Sequence, residues 1–121
     1  MDGTSRSSAE APLKQYEIWW ARLPSPAGRR PVLLLTRPLG YSYVSRILVA
    51  EVTTTVRSIP QEVALGSDEG LPRRCVANLD NTQAIPKRWL SERIGRLAPS
   101  RATEVKRALG HALAWPELTD L

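Results

Sequence analysis

The sequence predicts a mainly β fold with one C-terminal helix, an α+β class in which short strands form a small barrel. Three observations lead to this prediction. Short apolar runs alternate with turn-forming residues along most of the chain, one segment near the end has helical spacing, and 121 residues allow a single core. We expect one domain over residues 14–121, preceded by a flexible leader, residues 1–13, that contains little to bury.

The strands are predicted where branched and aromatic residues concentrate between turn signals. They are Tyr16–Leu23, Val32–Thr36, Arg46–Thr55, Glu62–Leu65, Arg74–Leu79 and a short closing strand, Arg93–Leu97. Pro31 is expected to open the second strand, where proline is tolerated. The continuous apolar run after it predicts burial on both faces. A helical turn is expected within Ile85–Leu90.

The C-terminal helix is predicted from five apolar residues that recur at helical spacing, namely Ala102, Val105, Leu109, Ala112 and Leu113. Pro99 suits the entry, Ser100 is the expected N-cap and Pro116 is expected to end the helix. A helix packed on a strongly curved sheet would cover a face that the strands leave open.

Composition narrows the class of function. The chain carries 17 Lys and Arg against 12 Asp and Glu, a net charge of +5, together with four Trp and three Tyr. Arginine binds phosphate with two hydrogen bonds and stacks on bases, which favours a nucleic-acid partner, although a basic surface can also serve solubility alone. One Cys excludes an internal disulfide. No segment reads as a secretion signal or a membrane span, so a soluble cytoplasmic protein is expected.

No metal-binding motif and no Gly-rich phosphate loop occurs, so neither a metal nor a cofactor is expected. The only histidine, His111, falls inside the predicted helix and is interpreted as an ordinary helix residue. Arg29 and Arg30 stand where a turn meets a buried strand, which would fix their backbone and leave the guanidinium groups free to clamp a phosphate. Ordinary exposed arginines are the alternative.

Hydroxyl and amide side chains offer further candidates. In an alternating strand, Thr53 and Thr55 share one face and Thr54 takes the other. Their β propensity alone would also explain the run. Asn78 and Asp80 are expected to alternate onto one face of the fifth strand, with turn chemistry as the alternative.

Taken in order, several segments resemble the MazF/PemK family of toxins over roughly residues 15–115. The matching pieces are Glu17-Ile18-Trp19-Trp20-Ala21, Gly28-Arg29-Arg30-Pro31 with the apolar strand after it, Val49-Ala50-Glu51-Val52-Thr53-Thr54, Ile59-Pro60-Gln61-Glu62-Val63, Gly70-Leu71-Pro72, Val76-Ala77-Asn78-Leu79-Asp80-Asn81 and Arg93-Ile94-Gly95-Arg96-Leu97. The resemblance implies a small SH3-like barrel of the MazF/CcdB type.

The resemblance also implies a function. Family members are homodimeric, type II toxin–antitoxin endoribonucleases that a cognate antitoxin blocks. They cut single-stranded RNA, here expected to be mRNA, at specific sequences and without metal, leaving a 2′,3′-cyclic phosphate and a 5′-hydroxyl. Arg30 and Thr53 match the catalytic arginine and threonine, while Asn78 and Asp80 match a strand position used on RNA.

Further RNA contacts are expected from Arg29 and Thr54, beside the two catalytic candidates, and from Tyr41 and Tyr43 in the segment Arg37–Ser45. Readers of single strands stack bases on aromatic rings and bond their edges. The first loop, Pro24–Arg30, is a second candidate reader.

Two alternatives to the nuclease remain at this point. One is a non-enzymatic barrel, either a gyrase poison such as those of the CcdB group or a nucleic-acid-binding module. The other is a degenerate family member that only titrates antitoxin.

Overall fold

The computed structural model describes residues 12–121, so the predicted leader lies outside the described residues except for Pro12 and Leu13. Six antiparallel strands form one curled sheet in the order β4-β5-β3-β2-β1-β6. The strands are β1 (Glu17–Arg22), β2 (Arg29–Leu34), β3 (Arg46–Thr53), β4 (Glu62–Leu65), β5 (Cys75–Pro86) and β6 (Leu90–Arg96), and they are followed by the helices α1 (Ala102–Leu113) and α2 (Pro116–Thr119). The predicted mainly β class with a C-terminal helix is confirmed.

The buried apolar residues form two clusters, one on each face of the sheet. One cluster, which includes Ile18 and Leu33, is covered by Val105 and Ala108 of α1. The other, which includes Trp19 and Val32, lies on the opposite face and is joined by the 3₁₀ turn Pro38–Ser42 through Tyr41. Val32, Leu33 and Leu34 are each 0% exposed, which confirms that this strand is buried on both faces.

Pro31 lies inside β2, as its third residue, and not at its start as predicted. Leu35 N–H donates to Leu48 O at 2.9 Å, and the β2–β3 register then runs from Leu34–Val49 to Val32–Glu51 and stops. Hydrogen-bonded and non-bonded pairs alternate along an antiparallel ladder, so the next bonded pair would join Pro31 to Val52 and would need the N–H that proline lacks. β2 and β3 therefore no longer pair with each other beyond this point, although β2 still pairs with β1 and β3 with β5.

Strand β5 is twice as long as predicted because the residues that signal a turn form an insertion inside it. Ala50 pairs with Thr82 but the next residue, Glu51, pairs with Asn78, which leaves residues 79–81 without a partner on β3. Asn78 Oδ1 accepts a hydrogen bond from Asp80 N–H at 2.9 Å. The turn chemistry considered for Asn78 is present, but it bends a continuous strand and does not end one.

A close backbone contact joins the two edges of the curled sheet. The 3₁₀ turn Ser67–Glu69, which follows β4, lies against β6. A Cβ atom at Gly95 would stand 2.1 Å from Glu69 O, and Gly70 has a φ of +89° and would bring a Cβ within 2.6 Å of Ile94 O. Only glycine fits both positions. The strand β6 itself begins at Leu90, earlier than predicted, after the expected helical turn at Lys87–Trp89.

The helix α1 is entered through a 3₁₀ turn, Pro99–Arg101, and Ser100 makes no capping hydrogen bond, contrary to the prediction. Arg101 anchors the entry. Its guanidinium lies 3.2 Å from Glu69, 2.7 Å from Glu104 and 2.8 Å from the carbonyl oxygen of Ala64. The hydrogen bond from Arg101 lowers the pKa of Glu104. Pro116 begins α2 beyond the end of α1. No helix within residues 12–121 is long and apolar enough to cross a membrane.

We expect Arg101→Met to lower the free energy of unfolding by about 3 kcal/mol, because the buried Glu69 carboxylate loses its charged partner. Urea denaturation at pH 7 measures this loss. Lys106→Met removes the same charge from an exposed position of α1 and should stay within about 0.5 kcal/mol of wild type.

The loss should also depend on pH. A carboxylate whose pKa is lowered in the folded state stabilises that state fully above its ordinary pKa, 4.5 for Glu104, and loses this contribution as the pH falls toward the lowered value. The difference in the free energy of unfolding between wild type and Arg101→Met should therefore become smaller below about pH 4. An equal difference at pH 7 and pH 3 would contradict this account.

Candidate active site

Two adjoining cavities open where β2 and β3 are no longer paired. The apolar cavity has a volume of about 280 Å³ and is lined by Trp20, Arg29, Arg30, Pro31, Val52, Thr53, Thr54, Leu71, Pro72, Arg73 and Cys75. The polar cavity has a volume of about 240 Å³ and is lined by Arg30, Glu51, Thr53, Thr55, Arg57, Asn78 and Asn81. Arg30 and Thr53 line both cavities, so the two residues predicted to be catalytic meet at one cleft.

Strand alternation explains why Arg30 and Thr53 lie between the two cavities. Thr53 and Thr55 line the polar cavity, whereas Thr54 lines only the apolar one, in agreement with the predicted faces. Glu51 shares the face of Thr53 and lies across from Arg30. The polar cavity therefore occupies one face of the β2–β3 pair, and the apolar cavity reaches Arg30 and Thr53 from the other.

The guanidinium of Arg30 is held on one side and open on the other. Its Nη1 lies 3.4 Å from Glu51 Oε1, and Gln83 Nε2 donates to Glu51 Oε2 at 2.8 Å. The side chain of Arg30 keeps 35% of its exposure, compared with 16% for Glu51. A guanidinium has five N–H donors, so the contact with Glu51 leaves donors for an anion in the cleft.

Thr53 ends β3 with its hydroxyl directed at the turn that follows. Its Oγ1 accepts a hydrogen bond from Thr55 N–H at 3.1 Å. A hydroxyl both accepts and donates, so the O–H proton of Thr53 is still available to a ligand. The hydrogen bond from Thr55 N–H therefore fixes the position of Thr53 Oγ1, whose O–H group is available in the cleft as a donor.

Glu62 holds the loop between β3 and β4 in place. Its carboxylate accepts hydrogen bonds from the backbone N–H groups of Arg57, at 3.1 Å, and Ser58, at 3.0 Å. This explains physically why a glutamate follows Ile59-Pro60-Gln61. Arg57, which the loop carries into the polar cavity, depends on these bonds for its position.

Arg29 forms a flat wall of the apolar cavity. Its guanidinium lies 3.9 Å from the centre of the Trp20 ring, and its Nη2 lies 3.1 Å from Glu92 Oε1. Stacking on the indole and pairing with the carboxylate fix the plane of the guanidinium.

The cleft carries an excess of positive charge. In the described part of the chain, four arginines line the two cavities (Arg29, Arg30, Arg57 and Arg73), but only one carboxylate, Glu51, does so. Within residues 12–121, the guanidinium groups of Arg57 and Arg73 form no ion pair with a carboxylate. Such a field attracts phosphate groups.

Three predicted RNA contacts lie outside the cavities. Tyr41 is only 7% exposed and belongs to the second apolar cluster, where burial raises the pKa of its phenol, so its ring has no free face for a base. Tyr43 is exposed, but it follows β2 at the opposite end of the β2–β3 pair, where its ring lies 5.4 Å from the Arg37 guanidinium. Asp80 is exposed and lines neither cavity, because the insertion in β5 breaks the expected alternation with Asn78.

Four lining residues with charged or amide side chains did not figure among the predicted site residues: Glu51, Arg57, Arg73 and Asn81. Alternation along β3 places Glu51 on the same face as Thr53. A lone carboxylate in an apolar strand also needs a partner, which is a second signal that could have identified Glu51. Asn81 reaches the cavity only through the insertion in β5, and Arg73 only through closure of the sheet, and the sequence shows neither feature.

The other reactive side chains fit structural roles. Cys75 is buried at the floor of the apolar cavity, and burial raises the pKa of its thiol, which keeps it protonated at neutral pH. His111 is exposed on α1 and lines neither cavity. In the described part of the chain, no three His, Cys, Asp or Glu side chains are grouped as a metal ion would require.

Fold and site together describe a small β protein with an arginine-lined cleft at the open end of a strand pair. The model of PemK-like, MazF-like toxins of type II toxin–antitoxin systems matches residues 14–113, and the chain belongs to this family.

Similar proteins are found in mycobacteria. "Probable endoribonuclease MazF5" of Mycobacterium tuberculosis is 41% identical over 95 residues, which are 77% of this chain and 85% of the relative. "Endoribonuclease MazF3" of the same species is 40% identical over 83 residues, 69% and 81% of the two chains. Among solved structures, the M. tuberculosis toxin MazF-mt6 is 37% identical with a TM-score of 0.76, covering 81% of this chain and 96% of that one.

A more distant structure shares the fold. The endoribonuclease solved in complex with its cognate antitoxin from a mycobacterial species is 24% identical, with a TM-score of 0.74 over 86% of this chain and 97% of that one.

We expect Glu62→Ala to loosen the β3–β4 loop, because the backbone N–H groups of Arg57 and Ser58 lose a charged acceptor. Two hydrogen bonds to a carboxylate stabilise by roughly 1.5–3 kcal/mol each. Hydrogen exchange should accelerate at these two amides and remain unchanged in the centre of β2. Glu117→Ala, at an exposed site on α2, is the matched control. Unchanged protection at both amides would show that Glu62 does not hold the loop.

Proposed function

We propose that this chain is a sequence-specific, metal-independent endoribonuclease toxin that cleaves single-stranded RNA, with mRNA as its target. The observation that carries the proposal is the convergence of Arg30 and Thr53 on one cationic cleft. Membership of the toxin family and the endoribonuclease names of its relatives support it.

The proposed reaction uses the RNA as its own nucleophile. The 2′-oxygen attacks the adjacent phosphorus, the O2′–P bond forms and the P–O5′ bond breaks. The 2′-hydroxyl gives up its proton and the leaving 5′-oxygen gains one. The products are a 2′,3′-cyclic phosphate and a 5′-hydroxyl. No protein nucleophile is required, which agrees with the burial of Cys75.

Arg30 and Thr53 would have different roles at the phosphate. The open side of the Arg30 guanidinium stabilises the charge that grows on the non-bridging oxygens, and Glu51 keeps that guanidinium in place before the substrate arrives. The hydroxyl of Thr53 donates to the phosphate or orients the 2′-hydroxyl. A guanidinium fixed in advance needs little reorganisation during the reaction.

The remaining lining residues would hold the strand. Arg29, Thr54 and Asn78 keep their proposed role in RNA binding because they line the cavities. Arg57 joins them as a phosphate contact, and Arg73 as a further contact to the bound strand in the apolar cavity. Asp80 and Tyr43 have no place in this cleft, and Tyr41 is a core residue.

The proposed partners follow from the same family. A protein of similar fold was solved with its cognate antitoxin. We propose that this toxin acts in the cytoplasm as a homodimer, and that an antitoxin of its own covers the cationic cleft and so prevents access of RNA.

We expect Arg30→Ala to lower the cleavage rate by roughly 10²–10³, equivalent to about 3–4 kcal/mol of transition-state stabilisation, because it removes the charge-stabilising donor. Single-turnover cleavage of a labelled RNA, with circular dichroism as a check on folding, measures the loss. Lys106→Ala removes an equal charge from α1 and should cut at the wild-type rate. A folded Arg30→Ala variant that cuts within threefold of wild type would remove Arg30 from catalysis.

The proposed chemistry is tested by incubating single-stranded RNA with the toxin in EDTA. The expected products carry 5′-hydroxyl ends, which a kinase labels without prior phosphatase treatment, and 2′,3′-cyclic phosphate ends. A single 2′-deoxy substitution at the cut nucleotide should abolish cleavage because the nucleophile is missing. Intact RNA in EDTA that is cut once Mg²⁺ is added would contradict metal independence, and intact RNA with inhibited DNA gyrase would favour a gyrase poison.

A further inference from the structure

Resting on the proposed function, we propose that the two bases flanking the cut phosphate occupy the two cavities, one base on each side of Arg30 and Thr53. These two residues are the only ones that line both cavities within the described chain. A phosphodiester bound by Arg30 and Thr53 would place its two nucleosides in opposite directions, toward one cavity and toward the other.

The volumes suit one ring system each. At about 280 and 240 Å³, both cavities fall just below the range of about 300–1,000 Å³ that is usual for drug-sized ligands. A single planar base is smaller than such a ligand, so each cavity has room for one base.

The apolar cavity has the chemistry of a stacking site for a carbonyl-rich base. The Trp20 ring and the Arg29 plane offer stacking surfaces. The side chains there that form strong hydrogen bonds are the guanidinium groups, which only donate, and hydroxyls. Among the described residues, no carboxylate or amide side chain lines this cavity. Guanine and uracil present carbonyl acceptors to such donors, and arginine bonds guanine O6 and N7 together.

The polar cavity differs because it offers amide and carboxylate acceptors; the two guanidinium groups that also line it, those of Arg30 and Arg57, are the ones assigned to phosphate. Asn78, Asn81 and Glu51 line it, and amide and carboxylate oxygens accept from the amino groups of adenine or cytosine. The hydrogen bond between Asn78 Oδ1 and Asp80 N–H occupies one of these acceptors, so Asn81 is the principal reader. The geometry therefore assigns a carbonyl-rich base to one side of the cut and an amino-bearing base to the other.

The test is the cleavage of an RNA pool randomised on both sides of the cut, with sequencing of the ends. Wild type should prefer guanine or uracil at one flanking position and adenine or cytosine at the other. Arg73→Ala should relax only the carbonyl-rich position and Asn81→Ala only the amino-bearing one, each by about tenfold or more. Both residues are exposed, so both variants should fold, and Lys106→Ala should leave both preferences intact.

Two outcomes overturn the inference: variants that cut with the wild-type preferences, and variants that both change the same position. Neither outcome would contradict the proposed function, because RNA would still be cut. If the wild type cuts no RNA, the proposed function fails, and the inference is then decided by binding. Affinities for a panel of RNAs with 2′-deoxy at the central nucleotide should show the same two preferences and the same two losses, and affinities that do not vary with the flanking bases would overturn it.

Discussion

The position of one proline determines where the β2–β3 pairing ends and the cleft opens. The β2–β3 ladder ends at the pair Val32–Glu51 because the next hydrogen-bonded pair would require an N–H on Pro31. Beyond that pair the two strands no longer pair with each other, although β2 still pairs with β1 and β3 with β5, and the side chains of Arg30 and Thr53 line the cavities that open there. The cleft is therefore a consequence of interrupted pairing in an otherwise continuous sheet, and both of its cavities depend on that interruption.

The carboxylates near the cleft serve mainly to fix cationic or backbone groups. Glu51 is bonded by Gln83 and holds Arg30, Glu92 pairs with Arg29 above Trp20, and Glu62 binds the backbone of the loop that carries Arg57. Each contact reduces the motion of a positive group without enclosing it, so the site is ordered before a ligand arrives and still attracts anions. Arg101 is a contrasting case, since its contacts with Glu69 and Glu104 hold a helix to the sheet.

The sequence was a good guide where a side-chain pattern repeats along one element. Alternation placed Thr53 and Thr55 on a different face from Thr54, and the apolar run after Pro31 indicated a strand buried on both sides. It was a poor guide where one signal has two physical outcomes. Asn78-Leu79-Asp80-Asn81 has the composition of a strand end, but the chain uses the same hydrogen bond to make an insertion within β5. Tyr41 has the composition of a base reader, but it packs in a core.

By itself, then, the sequence determined the mainly β class, the C-terminal helix and the cationic character, and the resemblance carried by its motifs indicated the two residues that line both cavities. Those features follow from local periodicity, net charge and short motifs, which are properties of neighbouring residues along the chain. Only the tertiary structure decided that Glu51, Arg57, Arg73 and Asn81 join the site and that Tyr43 and Asp80 do not. Their positions depend on strand register, on the insertion in β5 and on the closure at Gly70 and Gly95, which are set by packing between segments far apart in sequence.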